Sequence, residues 1–269
     1  MSLPLTLLVL STSAACAVSP TGRRQFLMYP PSQMAELGAQ AFADMKQQQT
    51  VSNDPAINRY VACVADAIIQ ANRSRVGDNW EVVVFADDQA NAFALPGGKV
   101  GVYTGLLRVA ENADQLAAVI GHEIGHVVAQ HGNERMSQGA IANLGMGLLS
   151  AYGEGGENRQ MILAALGIGY DLGVAKPHSR GQESEADNYG LALMSNAGFN
   201  PQAAIDLWHN MEALGQSPPE IMSTHPSPAT RIKQLSELQG EAVPLYNAAR
   251  SIGQTPDCVA PNLPAPAGS

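Results

Sequence analysis

Charge is scarce in this sequence. Asp, Glu, Lys and Arg make up 14% of its residues, and the balance is acidic, with a formal net charge of -9. No run of Lys or Arg occurs, which excludes nucleic acid as an expected partner. Aromatic residues are scarcer still at 5%, while Ala and Gly abound, a composition that suits packed helices better than an all-β protein. No apolar stretch reaches the roughly 18 residues that a membrane-spanning helix needs. No segment recurs at the period of about 20–50 residues that marks solenoids and propellers. What is present is a chain of 269 residues with 45% hydrophobic content, enough to bury a substantial core in one domain.

The amino terminus reads as an export signal. Leu3-Pro-Leu-Thr-Leu-Leu-Val-Leu10 is a hydrophobic region running into Ser-Thr-Ser-Ala-Ala-Cys16, although the usual positive residues ahead of it are missing. Small residues directly before Cys16 match a lipoprotein processing site, with Ser13 where Leu is usual. A buried first helix is the alternative, but Ser19-Pro-Thr-Gly-Arg-Arg24 would break it at once. With Cys16 lipidated, Cys63 and Cys258 remain as a disulfide pair in an oxidising compartment; two unrelated buried thiols are the alternative. Residues 1–24 are therefore expected to be leader and linker, residues 25–242 the folded domain, and residues 243–269 a Pro/Ala-rich tail pinned at Cys258.

One stretch spells out chemistry: Val119-Ile-Gly-His122-Glu123-Ile-Gly-His126-Val-Val128. Residues four apart on a helix lie about 40° apart around its axis, one turn along. His122 and His126 can thus offer two imidazole nitrogens to one metal ion, while Glu123 leans toward the open side as a base. Leu116, Val119, Ile120, Ile124, Val127 and Val128 recur at helical spacing and would bury this helix. Asn112-Ala-Asp-Gln115 reads as its N-cap with a capping-box partner, and Gly132 as its far end.

Around it, the spacing predicts helices from Ser32 to about Gln49 and from Pro55 onward, capped by Asp54. Trp80-Glu-Val-Val-Val-Phe85 is β-rich, and Asn91–Ala94 with Lys99–Tyr103 flank a Leu95-Pro96-Gly97-Gly98 turn, which predicts a hairpin. Further helices are expected from about Ser179 to Ala197, Pro201 to Leu214 and Pro228 to Gln239. Two apolar runs between residues 135 and 175 fit either a helical lid over the site or two buried helices.

A catalytic zinc takes three protein ligands and keeps an open position. Glu183 and Asp187 stand four apart, so one can bind metal while the other holds a ligand imidazole by its far N–H; an acidic first turn satisfying the helix dipole is the alternative. Glu185 points about 200° away from Glu183 and does not share that face.

Taken in order, Asn91-Ala-Phe-Ala-Leu-Pro-Gly-Gly98, His122-Glu-x-x-His126, Glu183-x-x-Ala-Asp187 and Ser223-Thr-His-Pro226 with Arg231 resemble the M48 family of zinc metalloendopeptidases. The likeness runs from about Gln33 to Leu238 and is nearest the exported bacterial members, several of them lipoproteins; Thr21-Gly-Arg-Arg-Gln25 looks like that group too. The resemblance implies a mainly helical α+β zincin (gluzincin) domain with a small sheet before the metal helix. It also implies one Zn2+ bound by His122, His126 and Glu183, with Glu123 as general base and Asp187 supporting a ligand. It brings His225 near the metal, as oxyanion donor or as plug of the open site, where a lone His beside Pro would otherwise read as a surface turn. Arg231 would orient His225 or meet substrate. Unlike the membrane-embedded members, this sequence shows no spanning helix. It also shows no C-terminal helical repeat domain of the kind some exported members carry.

The expected activity is therefore endopeptidase action on polypeptides, with substrate extended along Asn91, Ala92, Phe93 and Ala94. The expected setting is quality control of misfolded envelope proteins in the periplasm, with a lipid on Cys16 holding the protein to the outer membrane. The rival expectation is a chaperone or assembly factor whose zinc site is latent or structural, closed by His225.

Overall fold

The computed structural model describes residues 16–142, 162–167, 178–213, 225 and 228–262. Strands β1 (Cys16–Val18) and β2 (Arg24–Phe26) pair antiparallel. Helix α1 (Pro31–Gln48) opens on a proline at its first turn, whose missing N–H costs nothing there, and buries Met34, Leu37, Ala41, Phe42 and Met45 along one face. Helix α2 (Pro55–Ala71) is capped by Asp54, whose carboxylate accepts from the amides of Ala56 and Ile57. A single turn, α3 (Arg73–Val76), follows.

The sheet holds β3 (Glu81–Phe85), β4 (Ala92–Leu95) and β5 (Lys99–Tyr103) in the order β3-β5-β4, with β3 parallel and β4 antiparallel to the central β5. Leu95 pairs with Lys99 across Pro96-Gly97-Gly98; both glycines take positive φ, as the turn after Pro96 requires. A 3₁₀ turn (Thr104–Arg108) leads to α4 (Ala113–Val128), and α5 (His131–Ala142) follows. After a helical turn at 162–165 come α6 (Arg180–Asn196), α7 (Gln202–Ala213) and α8 (Pro228–Ser251). The architecture is α+β and mainly helical.

Side chains alternate across the sheet, so each strand serves two cores. Val84, Ala92, Ala94, Val100 and Val102 face the larger core, built from α2, α4, α6 and α7. Phe85, Phe93, Leu95 and Tyr103 face the other, with α1, Met136, Ile162 and Leu166. Few as the aromatics are, Phe42, Phe85, Phe93 and Tyr103 gather here, with Phe85 5.6 Å from Tyr103 and 6.0 Å from Phe93 between ring centres. Phe93 lies across its cross-strand partner Gly101, where a Cβ would come within 2.2 Å of the ring. On the opposite face Ala92 and Ala94 present only methyl groups, which lets α4 settle close against β4.

Three expectations need correcting. The Ser19–Arg24 segment is no free linker: it turns at Gly22 between β1 and β2 and is tied down by Gln25, which donates to the Ala129 carbonyl at 2.5 Å. Gly132 does not end the metal-bearing helix. That helix stops at Val128, the left-handed residue is Gln130, and Gly132 lies within α5. The tail expected from Val243 is still helix, because α8 continues through Pro244 to Ser251. Ala242 and Ala249 are buried on its inner face, and that packing outweighs the one backbone hydrogen bond a proline removes. Of the two apolar runs expected as a lid or buried helices, the first falls largely outside the described residues, as does the hydrophobic region before Cys16; in the second, the turn at 162–165 buries Ile162, with Leu166 buried just after it. None of the described helices is long and apolar enough to cross a membrane.

Cys63 and Cys258 are bonded, with Cα atoms 5.7 Å apart, so the chain beyond α8 is fastened back onto α2. In the chain-entropy account, closing so long a loop stabilises the fold by up to about 5 kcal/mol. Replacing both cysteines by alanine should lower the melting temperature while leaving the helical circular dichroism of the native protein in place. An unchanged melting temperature in that variant would show that the bond fastens a segment the fold does not depend on.

Candidate metal centre

The site is made where α4 crosses α6. Asn112 starts α4 by accepting from the Gln115 amide at 3.0 Å, and the Gln115 side chain accepts from the Glu111 amide rather than closing a capping box. Ser179 and Gln182 do form a capping box at the start of α6. At the crossing neither helix has room for a side chain. A Cβ on Gly121 would lie 2.8 Å from the Gly190 carbonyl, and one on Gly190 would lie 2.6 Å from the His122 nitrogen. That contact brings Glu183 and Asp187, one turn apart on α6, up against His122 and His126 on α4.

His122, His126, Glu183 and His225 present donor atoms that all lie within 4.8 Å of one another, and all four residues are buried. His122 Nε2 is 3.0 Å from His126 Nε2, 3.2 Å from His225 Nδ1 and 3.6 Å from Glu183 Oε2; His126 Nε2 is 3.5 Å from Glu183 Oε1. Four donors about 2.0–2.1 Å from a zinc-sized ion sit about 3.4 Å from each other, so the set has the right spacing.

Proton bookkeeping supports the fit more strongly. His122 Nδ1 lies 3.0 Å from Asp187 Oδ1, an acceptor, so Nδ1 carries the hydrogen and Nε2 a lone pair. Arg231 Nη2 approaches the same nitrogen but donates its proton to Asp187. His126 Nδ1 faces His131 Nδ1 at 2.8 Å, and His131 Nε2 faces Glu185 Oε2 at 3.1 Å. The carboxylate accepts a hydrogen bond from His131 Nε2–H, His131 Nδ1 accepts from His126, and His126 Nε2 is left with a lone pair. Two lone pairs and an ionised carboxylate thus converge in a buried space, an arrangement that calls for a cation.

Electrostatics agree. Burial, reinforced by Arg231, pushes His122 well below the usual histidine range; burial, with the neighbouring His178, does the same to His126, so both are neutral as ligands must be. For Glu183, burial pushes upward, but His225 and Arg231 outweigh it and hold the carboxyl down. Glu123 is pushed up to about 7, mainly by burial, with Glu183 adding and His225 opposing. Its Oε1 has no hydrogen-bond partner among the described residues, and His225 Nε2 lies 3.5 Å away. This is a carboxylate poised to handle a proton.

Each residue singled out from the sequence can now be located. Ala92, Phe93 and Ala94 line a cleft in front of the site together with Glu123, His126 and His225. Asn91 does not face it: its carbonyl accepts from the Tyr103 amide at 3.0 Å and its side chain folds onto the Ala92 amide. Arg231 is not at the front either. It is 4% exposed, donates to Glu183 Oε2 at 2.7 Å and to Asp187, and stacks over Trp208 at 4.4 Å. It lies against the two carboxylates, behind the donor set. Cys16 begins β1.

Two histidines were not anticipated. His131 sits behind His126, and His178 lies beside both His126 and His225, with ring centres 4.1 and 5.2 Å away. Five of the six histidines of the chain therefore share one cluster. The spacing H-E-x-x-H-x-x-x-x-H was visible, but reading one helix on to Gly132 hid it. The turn at Gln130 is what brings His131 back.

Glu185 lies off the metal-facing side of α6, as expected, yet it is buried. Burial pushes it up, but hydrogen bonds from Ser19, Thr21, His131 and Arg23 prevail and hold it at about 2.

A helix pair with this donor set defines a candidate metal centre, and sequence comparison narrows it. The chain matches Peptidase family M48 over residues 52–239 and belongs to that family. It is similar to the mitochondrial metalloendopeptidase OMA1 of Schizosaccharomyces pombe, at 38% identity over 188 residues, covering 68% of this chain and 53% of that protein. The human mitochondrial metalloendopeptidase OMA1 is 32% identical over 244 residues, covering 84% of this chain and 46% of that protein. A putative beta-barrel assembly-enhancing protease of Vibrio cholerae is 30% identical over 210 residues, covering 75% and 43%. The chain spans about half the length of these relatives, or less.

If the crossing sets the site, Gly190→Ala should weaken divalent-metal binding at least tenfold in a chelator competition, with helix content retained. Glu183→Ala should remove stoichiometric metal altogether. Wild-type metal content in Glu183→Ala would move the third ligand elsewhere.

Proposed function

We propose that the chain is a zinc-dependent endopeptidase. The observation that carries this reading is the convergence of two imidazole lone pairs and Glu183 beside Glu123, which lines the cleft and whose Oε1 has no hydrogen-bond partner among the described residues. Zinc, when bound, polarises a scissile carbonyl and acidifies water. His122, His126 and Glu183 would hold it. Glu123 takes the proton of the attacking water and passes it to the leaving amine, a role suited to a carboxyl whose burial raises its proton affinity. Asp187 and Arg231 keep His122 and Glu183 in place from behind. Substrate lies extended beside β4, an edge strand of the sheet, with backbone pairing that tolerates many sequences.

We further propose polypeptides of the bacterial envelope as substrates, misfolded ones first, with the protein in the periplasm and anchored to the outer membrane by lipid on Cys16. Support comes from the sequence preceding Cys16, from the oxidised Cys63–Cys258 pair, which suits an oxidising compartment, and from the Vibrio cholerae relative named above. A second reading has one specific observation in its favour. His225 belongs to the donor set, and a fourth protein ligand would close the site as structural zinc sites are closed. On that reading the chain acts as a chaperone or assembly factor.

Casein digestion with and without a chelator separates the two. Glu123→Gln should bind zinc normally and lose proteolysis by several orders of magnitude; retained cleavage in a clean preparation would sink the mechanism. His225 should act as a plug that leaves before substrate enters, so His225→Ala should raise proteolysis and autolysis. A fall of about 10²–10³ in turnover would instead make it an oxyanion donor.

A further inference from the structure

Behind His126 the structure has a second layer that reaches the amino-terminal segment. His126 Nδ1 meets His131 Nδ1 at 2.8 Å, His131 Nε2 meets Glu185 Oε2 at 3.1 Å, and Arg23 Nε donates to that same Oε2 at 2.8 Å. Thr21 donates its hydroxyl to Glu185 Oε1 at 2.5 Å. Arg23 is itself aimed by Glu134, which accepts from Nη1 and Nη2 at 2.6 Å each, and Gln182 fixes Glu134 at 2.9 Å. His131, Glu185 and Glu134 are buried, and the His131 side chain is wholly so.

The turn between β1 and β2 thus supplies two of the groups that fix Glu185, although it precedes the histidine motif by a long stretch of chain. Each link also has one sense. Arg23 can only donate, Glu185 can only accept, and His131 must therefore carry its proton on Nε2 and accept on Nδ1. That leaves His126 with its proton on Nδ1 and its lone pair on Nε2, the atom facing the metal donors. His122 gets the same orientation directly from Asp187. The two metal-facing imidazoles are therefore set by different devices, one a carboxylate and the other a histidine-carboxylate-arginine relay.

We propose that Thr21 and Arg23 belong to the metal centre as positioning residues, acting through Glu185 and His131 to fix the ring and tautomer of His126. The proposal rests on the metal-binding reading given above. Outer partners of ligand histidines typically alter metal affinity by about 10–100-fold. Without Arg23, Glu185 loses its anchor, His131 is free to turn, and His126 can present the wrong nitrogen.

The test uses the full chain, with zinc affinity read by chelator competition and coordination read from the visible absorption of the Co2+-substituted protein. Wild type should bind one ion with a four- or five-coordinate cobalt spectrum. Absence of binding there would overturn the metal reading itself. Arg23→Ala and His131→Phe should weaken zinc about 10–100-fold and shift the cobalt bands. Glu185→Gln, which keeps the shape and can still accept, should fall between. Arg23→Lys should fail to rescue, because one ammonium cannot hold both Glu134 and Glu185. Arg73→Ala, which breaks an exposed ion pair with Asp78, serves as control and should change nothing. If Arg23→Ala does not fold, Glu185→Gln and His131→Gln decide the matter. Variants that melt earlier yet keep wild-type zinc affinity and cobalt spectrum would reduce the relay to a structural staple and overturn the proposal.

Discussion

Helices α4 and α6 come together at Gly121 and Gly190 with no side chain between them, and the site depends on that contact. The two acids that face the histidines sit on α6 within two turns of Gly190. Any residue larger than glycine at the crossing would push them back by more than the tolerance of a metal–ligand bond. Large side chains elsewhere in the core, such as Leu116, Ile120, Ile124, Leu193 and Met194, hold the helices in register. Apolar burial supplies the force and the glycine pair supplies the distance.

Around this crossing the molecule divides its polar groups by side. In front, toward the cleft, are the metal-facing nitrogens, Glu123 and the methyl-lined edge of β4. Behind are the groups that do no chemistry of their own and settle the protonation of those that do: Asp187 and Arg231 for His122 and Glu183, His131 and Glu185 for His126. Arg231 and Arg23 enter from opposite directions and each meets two carboxylates. Two guanidiniums are thus brought to four buried acids, which offsets part of the cost of burying them.

Much of this is legible in the sequence. The histidine pair and Glu123 follow from helical spacing, and Asp54, Pro55 and the Pro-Gly turn announced their elements by local chemistry. His225 and Arg231 were found only through family resemblance, because nothing local marks a histidine beside Pro226 as buried. The misses share one cause, since each was decided by tertiary packing. Pro244 reads as the end of a helix, yet burial of Ala242 and Ala249 carries the helix past it. Thr21 and Arg23 read as linker until their partners, 111 to 164 residues away, are in place. Glu185 was correctly set off the metal face, but helix geometry cannot say whether the other face meets water or Arg23.

The central claim is that His122, His126 and Glu183 bind one metal ion that Glu123 serves from the cleft side. Anomalous diffraction at the zinc edge from metal-loaded crystals tests it most directly. The account predicts a single peak about 2.0–2.1 Å from Nε2 of both histidines and from a Glu183 oxygen, with Glu123 unligated. A peak bonded to His131 or Glu185, or no peak between α4 and α6, would contradict it.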